Sequence, residues 1–120
     1  MQIGEVCLLT DDVVCLADFY KKLLHIENGS DDKVHQFLIS EGTTLTVYKD
    51  EEPRIHENHH ICLAFTVDDV DEEYERLLAM GIRIIEKPET QPWGARNMHF
   101  CDPDGNHLYF RSFPKGAGEA

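Results

Sequence analysis

The side chains best suited to chemistry are scattered: Glu5 near the start, His59-His60 in the middle, and His99, His107 and Tyr109 near the end. His99 precedes, and His107 and Tyr109 lie within, the stretch Phe100-Cys101-Asp102-Pro103-Asp104-Gly105-Asn106-His107-Leu108-Tyr109-Phe110. Asp-Pro-Asp-Gly is a turn signal, because Pro103 presets φ, Gly105 accepts a positive φ and the Asp side chains can bond nearby backbone groups. It separates two short aromatic and apolar runs and so reads as a hairpin connection. Strand alternation then puts Asn106, Leu108 and Phe110 on one face and His107, Tyr109 and Arg111 on the other. The first set suits a packed core. The second suits water or a polar cavity, and the hairpin adds His99 to it.

Other constellations carry less. His59-His60 is not followed by the HExxH spacing of a metalloprotease, no serine sits in a nucleophile elbow, and no glycine-rich phosphate loop occurs. Cys7, Cys15, Cys62 and Cys101 show no CxxC spacing and fall in expected strands or a helix. That favours free buried thiols over disulfides or a zinc knot. A nucleophilic thiol at Cys7, Cys62 or Cys101 would need an activating imidazole such as His60 or His99. His25, His35 and His56 are expected at loops or strand ends, facing solvent. Pro92-Trp93-Gly94 could fold over a ligand, seal a dimer interface or plug a core edge. Arg96 or Arg111 could pair with an anionic substrate or simply neutralise an acidic surface.

The totals bound the answer. A chain of 120 residues makes one domain with a genuine core. Its net charge of -12 argues against nucleic acid and anionic membrane as partners, since both require clustered Lys and Arg. It is compatible with a cationic ligand. No apolar run approaches a membrane span, and Met1 is followed by neither a basic nor an apolar leader region, so a cytosolic protein is expected.

Those residues must be positioned by a small set of elements. Residues 3–10 read as a strand, with Val6 and Leu8 opposite Glu5, Cys7 and Leu9. Asp11-Asp12 supplies N-cap chemistry for a helix to about residue 24, striped by Val13, Leu16, Phe19 or Tyr20, and Leu23. Strands follow at 34–40 and 43–49, turning at Glu41-Gly42. The polar stretch around 50–58 reads as a linker. The pattern then restarts: a strand at 60–67, a helix capped by Asp68-Asp69 and stopped by Gly81, with Glu72 and Arg76 spaced for an ion pair. A short strand at 82–85, a loop at 86–94 and a closing hairpin of 96–101 and 106–112 complete it. The tail at 115–120 has no expected structure.

The halves can be laid over each other. Glu5-Val-Cys-Leu matches His60-Ile-Cys-Leu, Asp11-Asp12-Val13 matches Asp68-Asp69-Val70, and Glu41-Gly42 matches Asp104-Gly105. A supersecondary unit used twice is expected, each copy too small to bury its own core. The face opposite each helix would offer Glu5, Cys7 and Leu9, Thr44, Thr46 and Tyr48 in one copy. In the other it would offer His60, Cys62, Ala64 and Thr66, with His107, Tyr109 and Arg111. Small and polar residues on such a face suit either a ligand-lined concave sheet or a solvated one.

The paired units, the first helix with Asp-Asp-Val…Phe-Tyr-Lys-Lys-Leu-Leu and the ending WGARNMHFCDPDGNHLYF resemble the vicinal oxygen chelate superfamily of glyoxalases, bleomycin-resistance proteins and dioxygenases. The resemblance covers about residues 3–113. It implies an α+β fold in which two βαβββ units form a concave sheet with helices outside, as a single domain over 1–114 (unit one 1–50, unit two 59–113). It places metal-ligand positions on Glu5, Thr46, His60 and Tyr109. Glu5 and His60 are suitable donors, Thr46 is a poor one, and Tyr109 stands where a Glu is wanted. His99, or His107, could supplement Glu5 and His60. The leading expectation is a small-molecule-binding protein with no tightly bound metal and no other cofactor, sequestering or sensing a small ligand. Glu5, Thr46, Tyr48, His60, Trp93, His99 and Tyr109 would line its cavity. The alternative is a divalent-metal-dependent lyase, isomerase or transferase. A homodimer is expected in either case.

Overall fold

Asp12 and Asp69 each precede an apolar-periodic stretch, and each starts a helix. The computed structural model describes residues 1–51 and 60–113. In it the Asp12 carboxylate accepts the Cys15 amide at 3.1 Å, opening α1 (Val13–Leu24). The Asp69 carboxylate accepts the Asp71 and Glu72 amides, opening α2 (Val70–Ala79). Caps of this kind are worth about 1 kcal/mol each. His25 takes the left-handed conformation at the end of α1, and Gly81 takes it just beyond α2.

The chain divides into two compact units, Met1–His56 and Glu57–Ala120. The first carries β1 (Glu5–Thr10), α1, β2 (His35–Ile39) and β3 (Thr44–Lys49), with sheet order β1-β3-β2 and β1 parallel to β3. Val13, Leu16, Ala17, Tyr20 and Leu23 form the buried stripe of α1, which packs on β2 and β3 with Leu38, Leu45 and Val47. The second carries β4 (Cys62–Thr66), α2, β5 (Ile84–Thr90), β6 (Arg96–Cys101) and β7 (His107–Ser112), in the order β4-β7-β6-β5. Val70 and Leu77 of α2 are buried, as are Met98, Phe100, Leu108 and Phe110 of the sheet it packs on. Phe100 and Phe110 meet edge to face at 4.9 Å. Each such fully buried side chain stabilises its unit by roughly 1.5–3 kcal/mol.

The α+β fold of two βαβββ modules is present, with one local difference in the first. Its sheet has three hydrogen-bonded strands, and the position occupied by β5 in the second unit is taken by a polar connection before β2. There side chains replace the ladder. Asn28 Nδ2 donates to the Phe37 carbonyl at 3.0 Å, and the Asp32 carboxylate accepts the Val34 and His35 amides. Those two amides hold the Asp32 carboxyl below its usual range. The expected linker lies, from residue 52 onward, outside the described residues, as do His56 and the tail.

Several expectations need correcting. The segment expected as a loop from 86 is strand as far as Thr90. Pro88 misleads because it sits on an edge strand whose pairing with β6 shifts register twice, where a missing N–H is tolerated. Arg76 pairs with Glu73 at 2.6 Å, both half-buried on one face of α2, a partner the spacing argument did not name. The cysteines are free, but only Cys101 is buried; Cys7, Cys15 and Cys62 are exposed. The repeat also registers differently. Glu5 lies beside Thr44 as Cys62 lies beside His107, and Cys7 lies beside Thr46 as Ala64 lies beside Tyr109. The structural counterpart of Glu5 is therefore Cys62, two residues beyond His60.

The β6–β7 turn fixes the second sheet. Asp102 is buried, and its Oδ1 accepts the amides of Asp104 and Asn106, each at 2.9 Å. Its Oδ2 accepts Asn106 Nδ2 at 2.8 Å, and Gly105 sits at φ 84°. Replacing Asp102 with Ala leaves two part-buried amides without their acceptor, so a loss of about 1–2 kcal/mol is expected in denaturant melts. Asp102→Asn, which retains one acceptor oxygen, is expected to lose less. Thiol titration offers a second check: three cysteines react promptly in the folded protein. Cys101, whose thiol burial pushes up against the opposing pull of Arg83, reacts only on unfolding.

Candidate functional site

Strand parity decides which side chains face away from α2. On β6, Met98 and Phe100 enter the core, so Asn97 and His99 occupy the other face; on β7, Leu108 and Phe110 do the same for His107 and Tyr109. His99 lies opposite Tyr109 in the ladder and stacks on its ring, with centroids 4.4 Å apart and planes 6° from parallel. Both imidazole nitrogens of His99 are engaged. Nδ1 lies 3.3 Å from Glu86 Oε1 and Nε2 lies 2.8 Å from His107 Nδ1. With both rings neutral, one proton arrangement serves both contacts: His99 Nδ1–H donates to Glu86, and His107 Nδ1–H donates to His99 Nε2. Only 9% of His99 is exposed, and the ring is held at both nitrogens and on one face.

The His99–Tyr109 stack is the shared wall of two clefts in the second unit. One, of about 180 Å³, has Glu86, Glu89, Trp93 and Asn97 among its remaining lining, with Lys87 also at its wall. The other, of about 280 Å³, is completed by His60, Ile61, Cys62 and His107. In the first unit, the buried Thr46 hydroxyl donates to Glu5 Oε2 at 2.7 Å. Tyr48, two residues along, is 40% exposed, and its ring meets His35 edge-on at 5.4 Å.

The expected site residues thus fall into groups. Glu5 and Thr46 touch within the first unit, with Tyr48 along the same strand. His60, His99 and Tyr109 line one cleft of the second unit, and Trp93, His99 and Tyr109 line the other. Glu86, Glu89 and Asn97 escaped sequence reasoning; reading 84–90 as a strand would have put the two glutamates beside β6. Both arginines already have partners in this arrangement. Arg96 grips Asp71 with two bonds of 2.7 and 2.9 Å, while Arg111 donates to Thr66 and lies over the Phe113 ring.

Two of the four positions that the resemblance assigns to a metal, Thr46 and Tyr109, are poor donors for a tightly held ion. Thr46 spends its hydroxyl proton on Glu5, leaving a neutral oxygen as donor. Tyr109 is kept as a neutral phenol by burial, reinforced by Glu86 and Cys62. His99 has both nitrogens in use. Among the described residues, no three or more His, Cys, Asp or Glu side chains come together as a possible ligand set.

The Tyr109 phenol has a direct consequence in titration. Its ionisation is pushed above the ordinary tyrosine value in the folded protein, first by burial and then by the neighbouring negative groups. Folding therefore favours the protonated form. The stability this contributes is complete below about pH 10, the unfolded value, and is lost as pH rises through the folded value. Ultraviolet titration of wild type against Tyr109→Phe should show that the missing phenol is one ionising later than free tyrosine.

Comparison with known proteins agrees with this architecture. The sequence profile of the Glyoxalase/Bleomycin resistance protein/Dioxygenase superfamily matches residues 2–110. The uncharacterized protein YraH of Bacillus subtilis is 28% identical over 123 residues, spanning 88% of this chain and 94% of YraH. A glyoxalase-related enzyme from Fulvimarina pelagi superimposes with a TM-score of 0.79 at 20% identity, over 99% of this chain and 96% of that one. A glyoxalase/bleomycin resistance protein/dioxygenase from Nocardioides gives 0.74 at 24% identity, over 100% and 89%. At those identities the structural likeness speaks to the fold alone, but the profile spans nearly the whole chain. The chain belongs to the Glyoxalase/Bleomycin resistance protein/Dioxygenase superfamily.

Proposed function

We propose that this protein binds a small organic molecule on the open face of the second sheet, sequestering or sensing it without a tightly held metal. The observation that carries the reading is the stacked His99–Tyr109 pair, locked by Glu86 and His107 and facing a cleft on either side. A prefixed aromatic and polar wall costs little to order when a ligand arrives, and superfamily membership supports small-molecule binding. His60 belongs to the same proposal as a further contact, and Glu5, Thr46 and Tyr48 are proposed as ligand contacts within the first unit. A homodimer is part of it too, supported by Leu9, Phe37 and Tyr48, which leave apolar surface exposed in the first unit.

A thermal-shift screen of small molecules against chelator-treated protein tests this. A ligand at a hundred times its Kd should stabilise the protein by about 2.7 kcal/mol without added metal, and His99→Ala should remove the response. Tight uptake of one divalent ion per chain, abolished by Glu5→Ala or His60→Ala, would make the metal-free reading wrong. Sedimentation equilibrium should give twice the chain mass; a monomer at micromolar concentration would remove the dimer from the proposal.

A further inference from the structure

Asn97 presents an unfinished bond. Its side-chain oxygen is buried and has no hydrogen-bond partner among the described residues, although the residue lies in the wall of the smaller cleft. A buried acceptor left alone costs about 1–3 kcal/mol, so a donor in the cleft would recover that cost once the Asn97 amide turns toward it. Arg111, which lies beside Asn97 in the ladder, is turned to Thr66 and Phe113 instead. On the other side Asn97 faces Glu89 across the β5–β6 ladder.

The rest of the cleft selects for positive charge. Glu86 and Glu89 bring two carboxylates against the single ammonium of Lys87. The same negative surroundings show in Tyr109, whose ionisation burial opposes first and Glu86 opposes next. Trp93 is 58% exposed at the cleft and Tyr109 forms its other aromatic wall, so a cation can lie against ring faces while its donors reach the oxygens. A net charge of -12 raises the concentration of cations around the whole chain. The volume of about 180 Å³ lies below that of drug-sized pockets, which start at roughly 300 Å³. That leaves room for a body of about one ring.

We propose that the cleft between β5, β6 and the Trp93 loop binds a small organic ammonium ion. Its N–H groups bond Asn97 Oδ1 and the Glu86 and Glu89 carboxylates, and its apolar body lies on Trp93 and Tyr109. The inference rests on the ligand-binding reading above and names the class of ligand.

Trp93 is the only tryptophan in the chain, so its fluorescence reports on this cleft. Phenethylamine, 2-phenylethanol and 3-phenylpropanoate share an aromatic body and differ in charge, and each is titrated at neutral pH and low salt. The amine should give a saturable change at least about tenfold tighter than the alcohol, with the carboxylate silent. Glu89→Gln should weaken the amine at least about threefold, whereas Glu75→Gln, the same charge change on the exposed face of α2, should not. Asn97→Asp adds a carboxylate and should tighten the amine, while Asn97→Leu should abolish its binding. Equal binding of amine and alcohol, with no effect of Glu89→Gln, would overturn the charge assignment and leave the small-molecule reading standing. A response to calcium ion in place of the amine would overturn it in favour of a hard cation. Silence from all three probes overturns it as well, and the thermal-shift screen then decides the broader reading by itself.

Discussion

The Asp102 carboxylate sets the register of the β6–β7 hairpin, and the second unit's geometry depends on that register. Three bonds from one side chain fix where β7 begins relative to β6. A slip of one residue would exchange the two faces of a strand, carrying Leu108 and Phe110 out of the core and Tyr109 into it. The same turn therefore governs both the packing under α2 and the His99–Tyr109 stack. Core and cleft cannot be altered independently here, because alternate residues of two strands serve each.

The two units use equivalent positions differently. Thr46 and Tyr109 occupy matching places by ladder register, yet Thr46 hands its proton to a glutamate on the neighbouring strand while Tyr109 offers a ring to His99. Glu5 and Cys62 are the corresponding pair on the first strand of each unit. The two units share a scaffold and not these side chains. The polar character of the second unit's face comes from β5 and β6, through Glu86, Glu89, Asn97 and His99, more than from the strand positions that match the first unit.

Much of this was legible in the sequence, because local chemistry decides it. The Asp caps, the glycine after α2, the Asp-Pro-Asp-Gly turn and the apolar stripe of α1 all act over a few residues, and each appears where the pattern put it. What failed depends on tertiary surroundings. Proline argues against a strand unless the strand is an edge, and nothing in residues 84–90 announces an edge. Cysteine within an apolar segment suggests burial, but alternation gave Cys7 and Cys62 to the open face. Glu5-Val-Cys-Leu and His60-Ile-Cys-Leu match as letters, and the ladder displaces that match by two positions. Glu86, Glu89 and Asn97 carry no motif. They become a group only when β5 is laid beside β6.

One edge strand of each sheet, β2 and β5, is guarded by its own means, and this bears on how the protein behaves when crowded. In the first unit Asn28 occupies the Phe37 carbonyl on β2, so a side chain sits where an incoming backbone would bond. In the second unit β5 carries Pro88, which has no amide to offer, in a stretch where pairing is already irregular. A foreign strand seeking to add beside β2 meets a blocked acceptor, and one seeking to add beside β5 meets an absent donor. Self-association by strand addition is disfavoured at these two edges, which leaves β1 and β4 as the edges where backbone groups stay open to pairing.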